Sequence, residues 1–210
     1  MSEVIVSGAK IFILLFAIID PFGSVPLFLS MTARDDEKAR RRMAGKACVV
    51  ALAVLTMFAV FGDRILQLFS VDVPAFEVAG GIVLAMTALP MLAAARIGAR
   101  ILPSEEEEGE EKADISIVPL AIPLLSGPGA ITAVIALTQQ APPPAPPLLV
   151  ILCAALALAA TFIILRASSR LASILGATGV NVLTRISGLI ILVVAVQFIL
   201  EGAKAFFAAH

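Results

Sequence analysis

The chain of 210 residues has no tryptophan and no tyrosine, and its one histidine is the final residue, His210. Without Trp or Tyr, only phenylalanine is left to anchor at a membrane–water interface. A histidine at the very end is a poor candidate for a proton relay. The two cysteines, Cys48 and Cys153, are far apart in apolar stretches, with a spacing that suggests neither a metal site nor a redox pair. They read as small apolar residues. Charge is scarce too, at 15% of residues against about 25% in an ordinary soluble domain. No nucleotide-binding motif occurs, which argues against direct ATP drive, and no cofactor or nucleic-acid partner is expected. An intramembrane enzyme would need a nucleophile–base pair or a metal cluster, and the apolar runs carry only isolated Ser, Thr and Asp20. The chain is therefore not read as an enzyme.

What fills the sequence instead is apolar: 60% of residues are hydrophobic, with a mean hydropathy of +1.04. Six runs are long enough to cross a hydrocarbon core of about 30 Å: Ile11–Thr32, Ala47–Phe69, Val78–Ala95, Ile115–Thr138, Leu148–Leu165 and Ile186–Phe207. They are continuous rather than alternating, which excludes barrel strands. The first passes the length of a signal peptide and reads as a retained helix. The expectation is an all-α integral membrane protein of six transmembrane helices with the bilayer as its main partner. Twelve of the fifteen basic residues fall after spans one, three and five. The positive-inside rule then places those connections in the cytoplasm and both termini outside, in a multi-pass protein of the cytoplasmic membrane.

An offset of 107 residues pairs Pro21 with Pro128 and Gly81 with Gly188, and Arg64 pairs with Arg170 after a shift of one. Residues 1–103 and 115–210 would each hold three spans, joined by the acidic linker 104–114. An odd number of spans per half inverts the second half in the membrane. Two inverted three-helix repeats, with helices 1 and 4 broken at matching places, are the pattern of secondary transporters, whose breaks mark the binding site. Small-residue faces also permit homo-oligomers.

The first break is "IIDPFGSVP" and the second "LLSGPGAIT". A mid-span proline frees backbone carbonyls, which in hydrocarbon must be satisfied by protein or water. In the second break Pro128 suits the first position of a restarted helix, with Gly127 and Gly129 allowing close approach. The amides of Gly129, Ala130 and Ile131 would then present a positive half-helix end to an anionic group, with Ser126 and Thr132 adding hydroxyls. In the first break Asp20 precedes Pro21 as an N-cap precedes N1. It can serve as cap alone, or as the carboxylate that binds a substrate ammonium, Na+ or a proton. Gly23, Ser24 and Pro26 complete that break, and Gln197, midway along span six, is a further polar candidate. Gly80, Gly81 and Gly188 read as close-packing positions, and Thr56, Thr87 and Thr161 as bonding back to their own helices.

The motifs "DPFGSVPLF" and "IPLLSGPGAIT", in that order, resemble the paired signatures of the MarC family (UPF0056), small six-span membrane proteins of bacteria and archaea. The likeness covers nearly the whole chain; the acidic linker and the "PPPAPP" loop stand outside it. Members carry Asp or Asn at the position of Asp20, which favours capping as the shared role. The resemblance implies a relationship to transporters of small neutral amino acids such as glycine, alanine, serine and threonine. A small zwitterion would suit the two breaks: its carboxylate on half-helix amides, its ammonium on freed carbonyls and Asp20. The leading expectation is an ion-coupled secondary transporter working by alternating access. The alternatives are a non-transporting scaffold or regulator, and an exporter of other small solutes or drugs.

Overall fold

The computed structural model describes residues 2–93, 120, 125–143 and 146–209, and every regular element among them is helical. The elements are α1 (Ser2–Ile19), α2 (Ser24–Met31), α3 (Glu37–Leu68), α4 (Val73–Leu92), α5 (Pro128–Gln140), α6 (Pro146–Arg166) and α7 (Ser168–Ala209). Four segments are long and apolar enough to span a membrane: α3, α4, α6 and residues Thr178–Ala208 of α7. The pair α1 and α2, bent by 46° at its break, makes a fifth. Of the expected fourth span, α5 supplies 13 residues, or about 20 Å. Most of the run before it, like the acidic linker, lies outside the described residues.

Helix ends depart from hydropathy boundaries in an instructive way. The second span was expected from Ala47, yet α3 begins ten residues earlier, at Glu37. Asp36 sets that start: its side chain accepts the Ala39 N–H at 2.7 Å, a standard N-cap bond. Lys38, Arg40, Arg41, Arg42 and Lys46 therefore ride on the first turns of a helix rather than on a loop. At 32 residues, or about 48 Å, α3 exceeds the hydrocarbon thickness, so its basic end projects beyond the apolar layer. In α7 the helix breaks at Gly176, with φ 62° and ψ −179°. That region is open essentially to glycine alone.

The helices pack through small residues. Ala44, Ala47, Cys48, Ala51 and Ala59 form a buried stripe along α3, which packs against α6, where Cys153, Ala154 and Ala157 are buried. Both cysteines are buried and free, and the Cys153 thiol donates to the Gly8 carbonyl at 3.3 Å. Large apolar side chains such as Val49, Met57, Ile82, Met86, Leu156 and Val193 are exposed on the outside of the bundle. That inside-out pattern is the one a lipid-facing surface requires, because lipid tails are as apolar as the side chains.

The most extensive helix contact joins α4 to α7, and glycines make it close. A Cβ on Gly81 would lie 2.7 Å from the Ala195 carbonyl oxygen and 2.7 Å from Ile199 Cγ1. A Cβ on Gly188 would lie 3.2 Å from the Ala88 oxygen, 2.8 Å from Met91 Cβ and 3.3 Å from the Leu92 nitrogen. Contacts that ascend one helix descend the other, so the pair is antiparallel. Positions 81, 88 and 92 become 188, 195 and 199 on adding 107, the same offset that relates the two proline breaks. Gly81→Val and Gly188→Val are each expected to destabilise by about 1–3 kcal/mol through overpacking against backbone. Gly8→Ala, whose nearest contact is an ordinary 3.5 Å, is expected to be near neutral. Thermal unfolding of the purified variants in detergent checks the contrast.

Candidate functional site

The first break is organised by Asp20. Its backbone N–H still bonds Phe16 O at 3.1 Å, as in a helix, but its φ is 47°. This left-handed conformation is one that Asp and Asn tolerate better than other side-chain-bearing residues. The turn aims the carboxylate forward, and Oδ1 accepts the Gly23 N–H at 3.0 Å. The Asp20 carbonyl accepts both the Ser24 N–H at 3.1 Å and the Ser24 hydroxyl at 2.9 Å. The Asp20 side chain therefore caps a turn over Pro21–Gly23 and not a helix opened by Pro21. Helix α2 begins at Ser24, with Gly23 at its N-cap position and no side-chain cap there, and the reversal of φ is a feature the dipeptide does not announce. A Cβ on Gly23 would collide with Asp20 Oδ2 and come within 2.7 Å of Met91 Cε on α4. Only glycine leaves the carboxylate its seat.

The break also withdraws donors. Pro21 has no N–H for the Ala17 carbonyl, and the Gly23 N–H that would serve Ile19 is taken by Asp20. Carbonyls at the end of α1, those of Ala17 and Ile19 among them, thus lose their helical partners. Pro26 costs less, since the Phe22 carbonyl it would have served accepts Val25 N–H at 3.2 Å.

The second break has different chemistry. Gly127 is extended (φ −63°, ψ 169°) and makes no side-chain cap, Pro128 opens α5, and Ser126 is buried and hydrogen-bonded. The Ile131 N–H bonds Gly127 O at 3.0 Å, so of the three amides expected in the gap only Gly129 and Ala130 lack a helical acceptor. The Thr132 hydroxyl donates to Pro128 O at 2.9 Å. Gly129 lies directly under the Leu84 side chain, and Gly80 directly against Thr132.

Both breaks thus rest on α4, the first at Met91 and the second at Leu84. Seven residues put these two side chains on one face of α4, about 10 Å apart along its axis. Helix α7 closes the first break from the other side, where Ser187 stands near the Asp20 carboxylate. Sequence alone does not single out Ser187; its repeat counterpart is Gly80, which meets the second break.

Gln197 stands apart from this assembly. Ala195, Phe198 and Gly202 face inward on α7, so Gln197 is turned outward and its amide donates to Glu201. A second acid was missed: Glu77, one residue before the expected third span, is buried in α4 and feels the charge of Glu201. The signal was Gly202, which seats α7 against Pro74 and Glu77. Thr87 and Thr161 do bond back to their helices, at Leu84 O and Ala157 O. Among the described residues no group of His, Cys, Asp and Glu is arranged to hold a metal.

The fold and its exposed apolar belt define a helical multi-pass membrane protein, its first span bent between Ile19 and Ser24 and its fifth helix opened by Pro128. The chain belongs to the MarC family of integral membrane proteins, whose model matches residues 5–207. It is 39% identical over 198 residues to the UPF0056 membrane protein YvbG of Bacillus subtilis, covering 94% of each chain. A UPF0056 membrane protein of Methanocaldococcus jannaschii is 38% identical over 190 residues, covering 90% of this chain and 92% of the relative. YhcE of Escherichia coli is 33% identical over 198 residues, covering 94% and 92%. No solved structure matches.

The cap geometry yields a graded series. Asp20→Asn keeps an acceptor for Gly23 and a tolerated φ, and is expected to melt close to the parent. Asp20→Val loses the cap, worth about 1 kcal/mol, and forces a β-branched residue into the left-handed region for about 1–2 kcal/mol more. Equilibrium or thermal unfolding in detergent measures both.

Proposed function

We propose that this protein is a secondary transporter of small neutral amino acids, of the glycine, alanine, serine and threonine class, coupled to protons or Na+. The observation that carries the proposal is the meeting of two opposite half-helix ends on one face of α4. One break offers the Gly129 and Ala130 amides at the positive end of α5, a seat for a carboxylate. The other offers the carbonyls of Ala17 and Ile19 beside Asp20, a seat for an ammonium. Leu84 and Met91 fill the space over Gly129 and Gly23 and must withdraw to admit a solute, which makes α4 the moving part.

Alternating access is supported by the repeat relation that the 107-residue offset suggests. The antiparallel α4–α7 contact relates its glycines by 107 residues, and each half's third helix packs on the other half's break, α4 on α5 and α7 on α1 and α2. In this reading residues 1–103 and 115–210 exchange roles as the site opens to one side and then the other. The basic first turns of α3 and the start of α7 lie on the cytoplasmic side and the termini outside.

A specific observation favours a second reading. Leu84 packs on Gly129 without an intervening group, as in a scaffold whose breaks are structural. Uptake of labelled alanine or glycine into proteoliposomes, with and without a proton or Na+ gradient, decides between them. Transport predicts gradient-dependent accumulation, and its absence for all small neutral amino acids sinks the proposal. Asp20→Asn in the same assay assigns the charge: coupled uptake that persists leaves Asp20 as a cap, and uptake that loses its gradient dependence makes it the ion carrier.

A further inference from the structure

A second candidate site stands at the far end of the bundle from the α4–α7 glycine contact with Pro74. A cavity of about 500 Å³ opens where the start of α3 meets the junction of α6 and α7. Five cations converge on it, Lys38, Arg40 and Arg41 from α3, Arg166 from α6 and Arg170 from α7, against one acid, Glu37. The positive-inside rule asks for cations at this end of a membrane protein, but it does not ask three helices to direct them into one cavity.

Arg40 is committed to the architecture. Its Nε donates to Thr32 O at 2.9 Å, Nη1 to Ser169 Oγ at 3.1 Å and Nη2 to Ala33 O at 3.4 Å. This brace ties the end of α2 to the start of α7 through Ser169, 129 residues from Arg40, and so fixes the wall of the cavity. The other four cations form no hydrogen bond or ion pair among the described residues. Like charges gathered in one recess repel unless an anion joins them, and the repulsion grows as low-dielectric walls replace water. The base of the recess supplies such walls, since Phe28 and Leu165 line it and are almost fully buried.

We propose that this cavity binds a phosphate-bearing anion: the headgroup of an anionic phospholipid or a soluble phosphate. Arginine forks match phosphate oxygens in pairs, and a surplus of four positive charges suits phosphate better than a single carboxylate. A volume of this size lies within the range of small-molecule sites. Its place at the basic end of α3, which projects beyond the apolar layer, is where a lipid headgroup would lie, with Phe28 and Leu165 beneath it. The site is independent of the proposed transport pathway and shares no residue with the two breaks.

The test uses the full chain in an uncharged detergent and reads the thermal midpoint during titration. The probes are dihexanoyl phosphatidylglycerol, dihexanoyl phosphatidylcholine and inorganic pyrophosphate. The proposal predicts that phosphatidylglycerol, pyrophosphate or both raise the midpoint while phosphatidylcholine does not, a rise with pyrophosphate alone identifying the ligand as a soluble phosphate. A matching rise with pyrophosphate identifies the ligand as phosphate in general, and no rise with pyrophosphate identifies it as a lipid headgroup. Arg166→Gln/Arg170→Gln, both exposed positions, is expected to weaken the response at least tenfold. Arg42→Gln, on the same helix but outside the cavity, is expected to leave it unchanged. Lys38→Gln/Arg41→Gln repeats the comparison should the first pair fail to fold. No midpoint shift with either phosphate probe, an equal shift with phosphatidylcholine, or an Arg42→Gln loss as large as that of the double variants overturns the proposal.

Discussion

Every backbone N–H and C=O inside a bilayer needs a partner from the protein, because the hydrocarbon offers none. A proline at mid-membrane violates that demand, and much of this fold is arranged around two such violations. At Pro21 the chain answers with a side chain: Asp20 turns into the left-handed region and returns its carboxylate to Gly23. At Pro128 it answers with an extended Gly127, whose carbonyl accepts Ile131. Neither answer is complete. The carbonyls of Ala17 and Ile19 and the amides of Gly129 and Ala130 remain without helical partners, and the proposed site rests on these groups of opposite polarity.

Packing brings those groups to a common surface. With no water to drive association, helices in lipid hold together by close backbone approach and dispersion. Gly81 and Gly188 provide the approach between α4 and α7, while Gly80 and Gly129 bring α5 and α4 together. Helix α4 is thereby pinned between the breaks, with Met91 at one and Leu84 at the other. A contact surface built from glycine can slide more readily than one built from interdigitated large side chains. The proposed transport cycle would draw on this property of the glycine contacts of α4.

Much of this was legible in the residues, for identifiable reasons. Asp-Pro and Gly-Pro-Gly inside apolar runs have few structural meanings, so the interruption at Asp20 and the helix start at Pro128 could be read from local chemistry, while the restart at Ser24 instead of Pro21 could not. The glycines at 80, 81 and 188 likewise pack as their positions suggest. The start of α3 was obscured because hydropathy marks where a helix is apolar and not where it begins; Asp36 followed by Glu37 held the better signal. The orientation of Gln197 and the burial of Glu77 depend on helical register against a partner helix distant in sequence, which no local pattern records. The positive φ of Asp20 and the reach of Ser187 belong to the same class. They arise from tertiary contacts, and only the assembled bundle displays them.

The central claim is that the two breaks are halves of one solute site that opens to water. Ser24 and Ile131 occupy repeat-equivalent positions in the two breaks, and Cys48 and Cys153 can be replaced by alanine to give a clean background. The direct measurement is labelling of Ser24→Cys and Ile131→Cys in sealed vesicles by a membrane-impermeant thiol reagent, with and without alanine. The account predicts that both positions react at measurable rates despite their depth, and that alanine slows both together. Two cysteines that stay inert from either side of the membrane, or whose labelling ignores alanine, would contradict it.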